Sequence, residues 1–251
     1  VIVPSSDPHL GEYVPDHWRV IRWLTGFTGS AGTVVITRTF AGLWTDSRYF
    51  IQAEEQLAGS GYELVRLRIP HTPEHIDWLK DQSRRGWKVG VDGRLISVGQ
   101  MRLLAAAMKD AGVRLDLKTD LISPLWSDRP ALPSSEAYEL DVKYAGVARK
   151  QKLDRVREVM AGMNVDYQLL TASDDVMWLL NIRGNDIIYC PLMLSFALVG
   201  HDQVLLFADE NKIPGSLKSS FDREGIVLLP YDCVTSVLGH LEERSVLLLA
   251  P

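Results

Sequence analysis

This chain has little that announces chemistry. Only two of its 251 residues are cysteine, Cys190 and Cys233, and they lack CxxC spacing. Two thiols cannot build a disulfide framework, so the chain fits a reducing compartment and each thiol reads as a small buried hydrophobe. No apolar run approaches the roughly 18 residues of a membrane span, which excludes a spanning helix. Positive charge is not in excess: 27 Lys and Arg against 32 Asp and Glu give a net charge of −5. Nucleic-acid binding is therefore without support, and the short cluster Arg149-Lys150-Gln151-Lys152 reads as the solvated face of a helix. Walker loop, G-x-S-x-G elbow and dinucleotide fingerprint are all missing. Val1-Ile2-Val3 already reads as a strand, so neither an initiator Met nor a signal peptide is expected among these residues.

The one metal-like pattern is His71-Thr72-Pro73-Glu74-His75, which fits H-x-x-E-H. That pattern needs both histidines on one face of a continuous helix. Pro73 disfavours a helical conformation at Thr72 and marks a helix start, so His71 should fall outside. The expected structure is a helix N-terminus with Thr72 as N-cap, Pro73 at the first position and Glu74 favourable toward the dipole. Gly26, Gly29 and Gly32 precede a strand instead of opening a helix, so they lack the amide array that cradles phosphate.

What is present is a stretch around which the chain is organised, Trp23 to Tyr49. It predicts a helix end, a glycine turn, a hairpin formed by Val34-Val35-Ile36 and Leu43-Trp44-Thr45, and Asp46 as N-cap of a helix from about Ser47. The design recurs. Trp178-Leu179-Leu180-Asn181-Ile182-Arg183-Gly184 matches the Trp23 segment, a hairpin spans Leu194 to Phe207, and Asp209 matches Asp46. Leu169-Leu170 matches Ile2-Val3 upstream. The offset is 167 at the first strand, 155 at the Trp and 163 at the Asp, so the first copy has 12 extra residues before its Trp and the second 8 extra after it. Such insertions belong in loops of a repeated fold. Ser127 to Glu136, with two prolines and three serines, is the best boundary, giving domains 1–129 and 130–251. Further helices are expected over Val98–Ala111 and Ala148–Met163, and strands over Trp87–Asp92, Tyr167–Leu170 and Ile226–Leu229. The second copy has a helix before its first strand that the first lacks, and the first continues past the point where the second stops. This leads to the expectation of a fragment cut at both ends.

Gly26-Phe27-Thr28-Gly29-Ser30-Ala31-Gly32-Thr33 followed by Trp44-Thr45-Asp46-Ser47-Arg48-Tyr49-Phe50 resembles the first domain of three-domain Xaa-Pro aminopeptidases. Ile2 to His9, Trp126 to Pro130, Trp178 to Asp186 and Pro191 fit the same family, so the resemblance covers nearly the whole chain. It implies an α/β fold of two tandem creatinase N-terminal-like domains, each a mixed β-sheet flanked by helices. It also implies a cytoplasmic enzyme that removes the residue before proline in the second position of a peptide. In that family a pair of divalent metals, usually manganese, sits in a third, C-terminal domain, to which none of these residues corresponds. No catalytic or metal-ligating residue is therefore carried over, and the fragment alone is expected to be inactive. The implied partners are the peptide, the chain's own catalytic domain and a second copy in a homodimer, with neither nucleic acid nor membrane. Arg183 is the one residue that the resemblance places by the substrate cleft; alternatively it pairs with Asp186 or Asp174 and fixes its loop. A second reading is open at this point. Creatinase-like folds also serve as protein-binding modules of histone-chaperone type, and the net charge of −5 suits a basic partner.

Overall fold

A computed structural model describes residues Val1–Ala250. They form two compact units, 1–132 and 133–250. The first contains strand β1 (Ile2–Pro4), helix α1 (Val20–Thr25), β2 (Thr33–Ile36), β3 (Ala41–Thr45), α2 (Phe50–Leu57), β4 (Glu63–Arg66), α3 (Glu74–Gln82), β5 (Lys88–Gly90), α4 (Val98–Asp110) and β6 (Arg114–Asp116). The second contains β7 (Tyr138–Glu139), α5 (Val142–Ala145), α6 (Arg149–Gly162), β8 (Tyr167–Leu170), α7 (Ser173–Leu180), β9 (Ile182–Arg183), β10 (Phe196–Gly200), β11 (Val204–Phe207), α8 (Gly215–Arg223), β12 (Ile226–Leu229), α9 (Val234–Leu238) and β13 (Leu247–Leu248).

The repeat is a repeat of topology. In the first unit β1 pairs antiparallel with β2, β2 antiparallel with β3, and β3 parallel with β4. In the second, β8, β10, β11 and β12 pair in the same senses and order. Trp23 and Trp178 both lie in the helix after the first strand, and Asp46 and Asp209 both follow the hairpin's second strand. The sheets differ at one edge. β13 joins β8 in parallel, whereas β5 pairs with β6 in a separate two-stranded sheet.

Period-two alternation puts each strand's apolar side chains on two faces. Val35 and Trp44 pack with Ile76, Leu79, Leu104 and Met108 from α3 and α4, while Val34 and Leu43 pack with Ile21, Ala53 and Leu57 from α1 and α2. In the second unit Ala197, Val199, Val204 and Leu206 face α6, α7 and α8, and Phe196, Leu198 and Phe207 face the side covered by α9. Both sheets are thus covered on two sides, and the second unit's central strands β10 and β11 read as continuous apolar runs.

Three local expectations need correction. Asp46 does not cap a helix at Ser47. Its Oδ1 accepts the Arg48 backbone N–H at 3.1 Å and its carboxylate takes the Arg48 guanidinium at 2.9 and 2.8 Å, so the chain turns once more before α2 starts at Phe50. Pro73, not Thr72, holds the N-cap position of α3, because the Thr72 hydroxyl donates to Ile69 O. Neither cysteine is buried, since Cys190 lies near a hairpin tip and Cys233 in the turn before α9.

Candidate functional site

Of the H-x-x-E-H pattern, His75 lies on α3 and His71 lies outside it, at φ +60°. Glu74 turns away to accept the Arg68 and Ile69 backbone N–H groups at 2.9 and 3.1 Å. Both histidines line an open cleft of about 680 Å³ in the first unit, together with Asp46, Arg48 and Trp44. Burial pushes the His75 imidazole down to about 4, so it is neutral at pH 7. Among the described residues no three His, Cys, Asp or Glu side chains converge in a group that could hold a metal ion. The donor set of this chain therefore does not fit the two-metal centre implied by the resemblance, and no hydrolytic step is assigned to its residues.

The second unit gathers its charged groups around the end of α7. This helix ends because Asn181 adopts a left-handed conformation, φ 50° and ψ 41°, and its N–H closes on Met177 O. Asn tolerates that conformation better than most residues. Helix ends leave carbonyls without intrahelical partners; here cations take two of them and add a second donor to Met177 O, which the Asn181 N–H already holds. Arg183 Nη1 donates to Met177 O at 2.9 Å, Lys152 Nζ to Trp178 O at 2.7 Å, and Arg149 Nε to Leu180 O. Positive charge at this end also complements the helix dipole.

Arg149 and Lys152 sit one turn apart on α6, which puts them on one face. The solvated-face expectation holds for Lys150 but fails for these two, which are only 3% and 5% exposed. The physical reason is the row of carbonyls they satisfy. Arg149 is neutralised by Glu139 and Glu224 at 2.8 and 3.0 Å. The Lys152 ammonium has no carboxylate among the described residues. It donates to Asn181 Oδ1 at 2.7 Å and lies 4.3 Å from the centre of the Trp178 ring. Burial, and then the nearby Arg183 charge, hold its pKa below the ordinary lysine value.

Arg183 is half-buried on β9, directly opposite Tyr138 of β7. It bonds to neither Asp186 nor Asp174. Its Nη1 also donates to Ile182 O at 2.8 Å, while Nε and Nη2 make no hydrogen bond among the described residues. Its contact is with the end of α7, through Nη1 alone. Carboxylates and carbonyls are the natural acceptors for a guanidinium fork.

Beyond Arg183 the chain forms a hairpin over 184–193. Gly184 N donates to Pro191 O at 3.3 Å and Asp186 N to Leu192 O at 2.9 Å, and Ile187 bridges Cys190. A β-carbon on Gly184 would stand 2.7 Å from Met193 Cβ, so only glycine permits the two arms to approach this closely. Asp186 Oδ2 accepts Leu194 N and Lys212 Nζ, both at 2.7 Å, in a pair whose side chains are 0% and 3% exposed. The sequence pattern did not point to Lys152 or Lys212, whose partners lie 26 to 29 positions away.

Two family models, both described as creatinase/prolidase N-terminal domain, match residues 16–120 and 128–251. The chain is 35% identical over 251 residues to aminopeptidase P2 of Arabidopsis thaliana, covering 99% of this chain and 35% of that protein. It is 35% identical to Xaa-Pro aminopeptidase 1 of Dictyostelium discoideum, covering 97% of this chain and 40% of that protein. Among solved structures it is similar to the X-prolyl aminopeptidase of Caenorhabditis elegans, described as a cytosolic enzyme with a di-nuclear active site. That likeness has a TM-score of 0.89 at 34% identity, over 94% of this chain and 39% of that one. The chain thus spans about two-fifths or less of the length of these relatives. Among the described residues no helix is long and apolar enough to cross a membrane.

Proposed function

This chain belongs to the creatinase/prolidase N-terminal domain family, in the form carried by Xaa-Pro aminopeptidases, and from that premise we propose that the intact protein is itself a cytoplasmic Xaa-Pro aminopeptidase. Its substrate is a peptide with proline in the second position. The observation that carries this reading is similarity to named aminopeptidases over both units, 99% of the chain at 35% identity. In our reading peptide hydrolysis belongs to a further domain of the same polypeptide, whose residues would hold a pair of divalent metals, manganese, and such a pair would supply water activation and Lewis-acid polarisation of the scissile carbonyl when bound. The present residues form the non-catalytic part. They help to shape the cleft, and Arg183 is the residue we assign to the peptide. Support for that assignment is its unused Nε and Nη2 beside the uncompensated Lys152 charge, a pairing that favours a carbonyl or carboxylate.

The test is hydrolysis of Arg-Pro-Pro by the intact polypeptide and by residues 1–251 alone. Turnover is expected only from the former. Stoichiometric manganese and turnover in the latter would overturn the division of labour. In the intact protein Arg183→Ala should lower kcat/KM by roughly tenfold, the equivalent of about 1.4 kcal/mol of lost contact. Unchanged kinetics with a lower Tm would leave Arg183 only its role at the end of α7.

A further inference from the structure

The hairpin beyond Arg183 ends in a tip that the second unit does not bury. Ile188 is 59% exposed and Tyr189 is 99% exposed. A lone surface hydrophobe needs no explanation, but Tyr189 has two further properties. It is held at φ +65°, in the left-handed region that a bulky side chain seldom adopts. It also stands on a rigid base. The arms are joined by the Gly184–Pro191 and Asp186–Leu192 bonds and by the Ile187–Cys190 bridge, and the buried Asp186–Lys212 pair ties them to the body of the unit. The turn between Ile187 and Cys190 thus holds Tyr189 in a left-handed conformation with its ring in water.

Strain of this kind persists where surrounding structure enforces it, and it concentrates at working positions. A ring presented in advance loses little freedom on docking, and buried tyrosines are frequent anchors of interfaces, with an apolar body and a hydroxyl that seeks an acceptor. Nothing within the described residues receives this ring. The relatives are longer than this chain. They share this chain's two units yet are two and a half times as long or more, the chain covering only 35% and 40% of them.

We propose that Ile188 and Tyr189 form a knob that seats in an apolar socket on the remainder of the same polypeptide, and so fix the second unit against it. The socket should offer a hydrogen-bond acceptor to the phenol. This rests on the reading that the intact protein continues into a further domain. It differs from the assignment of Arg183, because it concerns contact between parts of the chain and not contact with substrate.

The experiment compares thermal unfolding of residues 1–251 with that of the intact polypeptide, each as wild type, Tyr189→Asn and Tyr189→Phe. Asn tolerates positive φ, so in residues 1–251 Tyr189→Asn should leave Tm unchanged or raise it by a degree or two. In the intact polypeptide the same substitution should lower Tm by several degrees and hasten proteolysis between the parts. Tyr189→Phe keeps the ring and should match wild type in the short chain, with most of the stability retained in the long one. A Tyr189→Asn shift of the same sign and size in both chains would overturn the proposal. So would a self-association of residues 1–251 that Tyr189→Asn abolishes, which would assign the knob to a second copy. Assaying Arg-Pro-Pro on the same intact samples separates the two readings. An inactive wild type removes the aminopeptidase assignment and leaves the comparison of Tm values standing.

Discussion

Asp186→Asn should be among the most damaging single changes in the second unit. The wild-type carboxylate takes Lys212 Nζ and Leu194 N at 2.7 Å each, with 0% and 3% of the two side chains exposed. The amide retains an acceptor oxygen for Leu194 but leaves the lysine ammonium buried without a counter-charge. Removing one partner of a buried pair costs about 3–5 kcal/mol, because the desolvation of the other is no longer offset. Typical domains have only about 5–15 kcal/mol in hand. A melting curve of the whole chain is a poor reporter, since two units need not unfold together. Amide exchange is better: protection of Leu206 and Phe207, on strand β11, reads the second unit, and that of Val34 and Leu43 is an internal control for the first. The expected result is a drop of about 3 kcal/mol or more at the former and none at the latter. The double substitution Asp186→Leu with Lys212→Met removes both charges and should cost clearly less than the two single changes added together. Additive costs, or a drop below 1 kcal/mol for Asp186→Asn, would refute the view that the pair holds the hairpin base.

Two further outcomes are expected. Gly184→Ala drives a β-carbon to 2.7 Å from Met193 Cβ and should cost about 1–3 kcal/mol by overpacking, seen as lost amide protection at Asp186 and Leu194 with the first unit unaffected. His75 has its pKa depressed to about 4 in the fold and an ordinary value near 6.5 when unfolded, so the unfolded chain binds the proton first as pH falls. Stability of the first unit should be constant above about pH 6.5 and be lost between there and pH 4, by roughly 1–2 kcal/mol once the ring's partial exposure is discounted. His75→Gln should flatten that slope, and a slope that survives the substitution assigns the loss to other groups.

Periodic and local features were legible in the sequence. Strands β8 and β12 have the bounds expected from the sequence, and α6 differs from Ala148–Met163 by one residue at each end. The repeat was legible because strand order, Trp and Asp are set by topology. Side-chain geometry around the ends of elements was not. Arg149 and Lys152 carry a charge pattern that suits a solvated helix, and only the distant carbonyls of α7 pull them inside. Asp186 looked like a partner for Arg183 three positions away, yet Lys212 takes it across 26 positions. Non-local partners leave no spacing to read.

The two units also show where a repeated fold can be made to differ. In the first, Trp23 is stacked on Trp126, with ring centres 5.0 Å apart and planes at 13°, so the end of that helix is closed by the unit's own apolar surface. In the second, the matching Trp178 stays 56% exposed and covers a lysine, and the residues after it extend into a hairpin. The conserved strand order supplies the frame for both outcomes. Before that hairpin, Trp178 O and Leu180 O are held by Lys152 and Arg149, and Met177 O takes Arg183 Nη1 in addition to the Asn181 N–H.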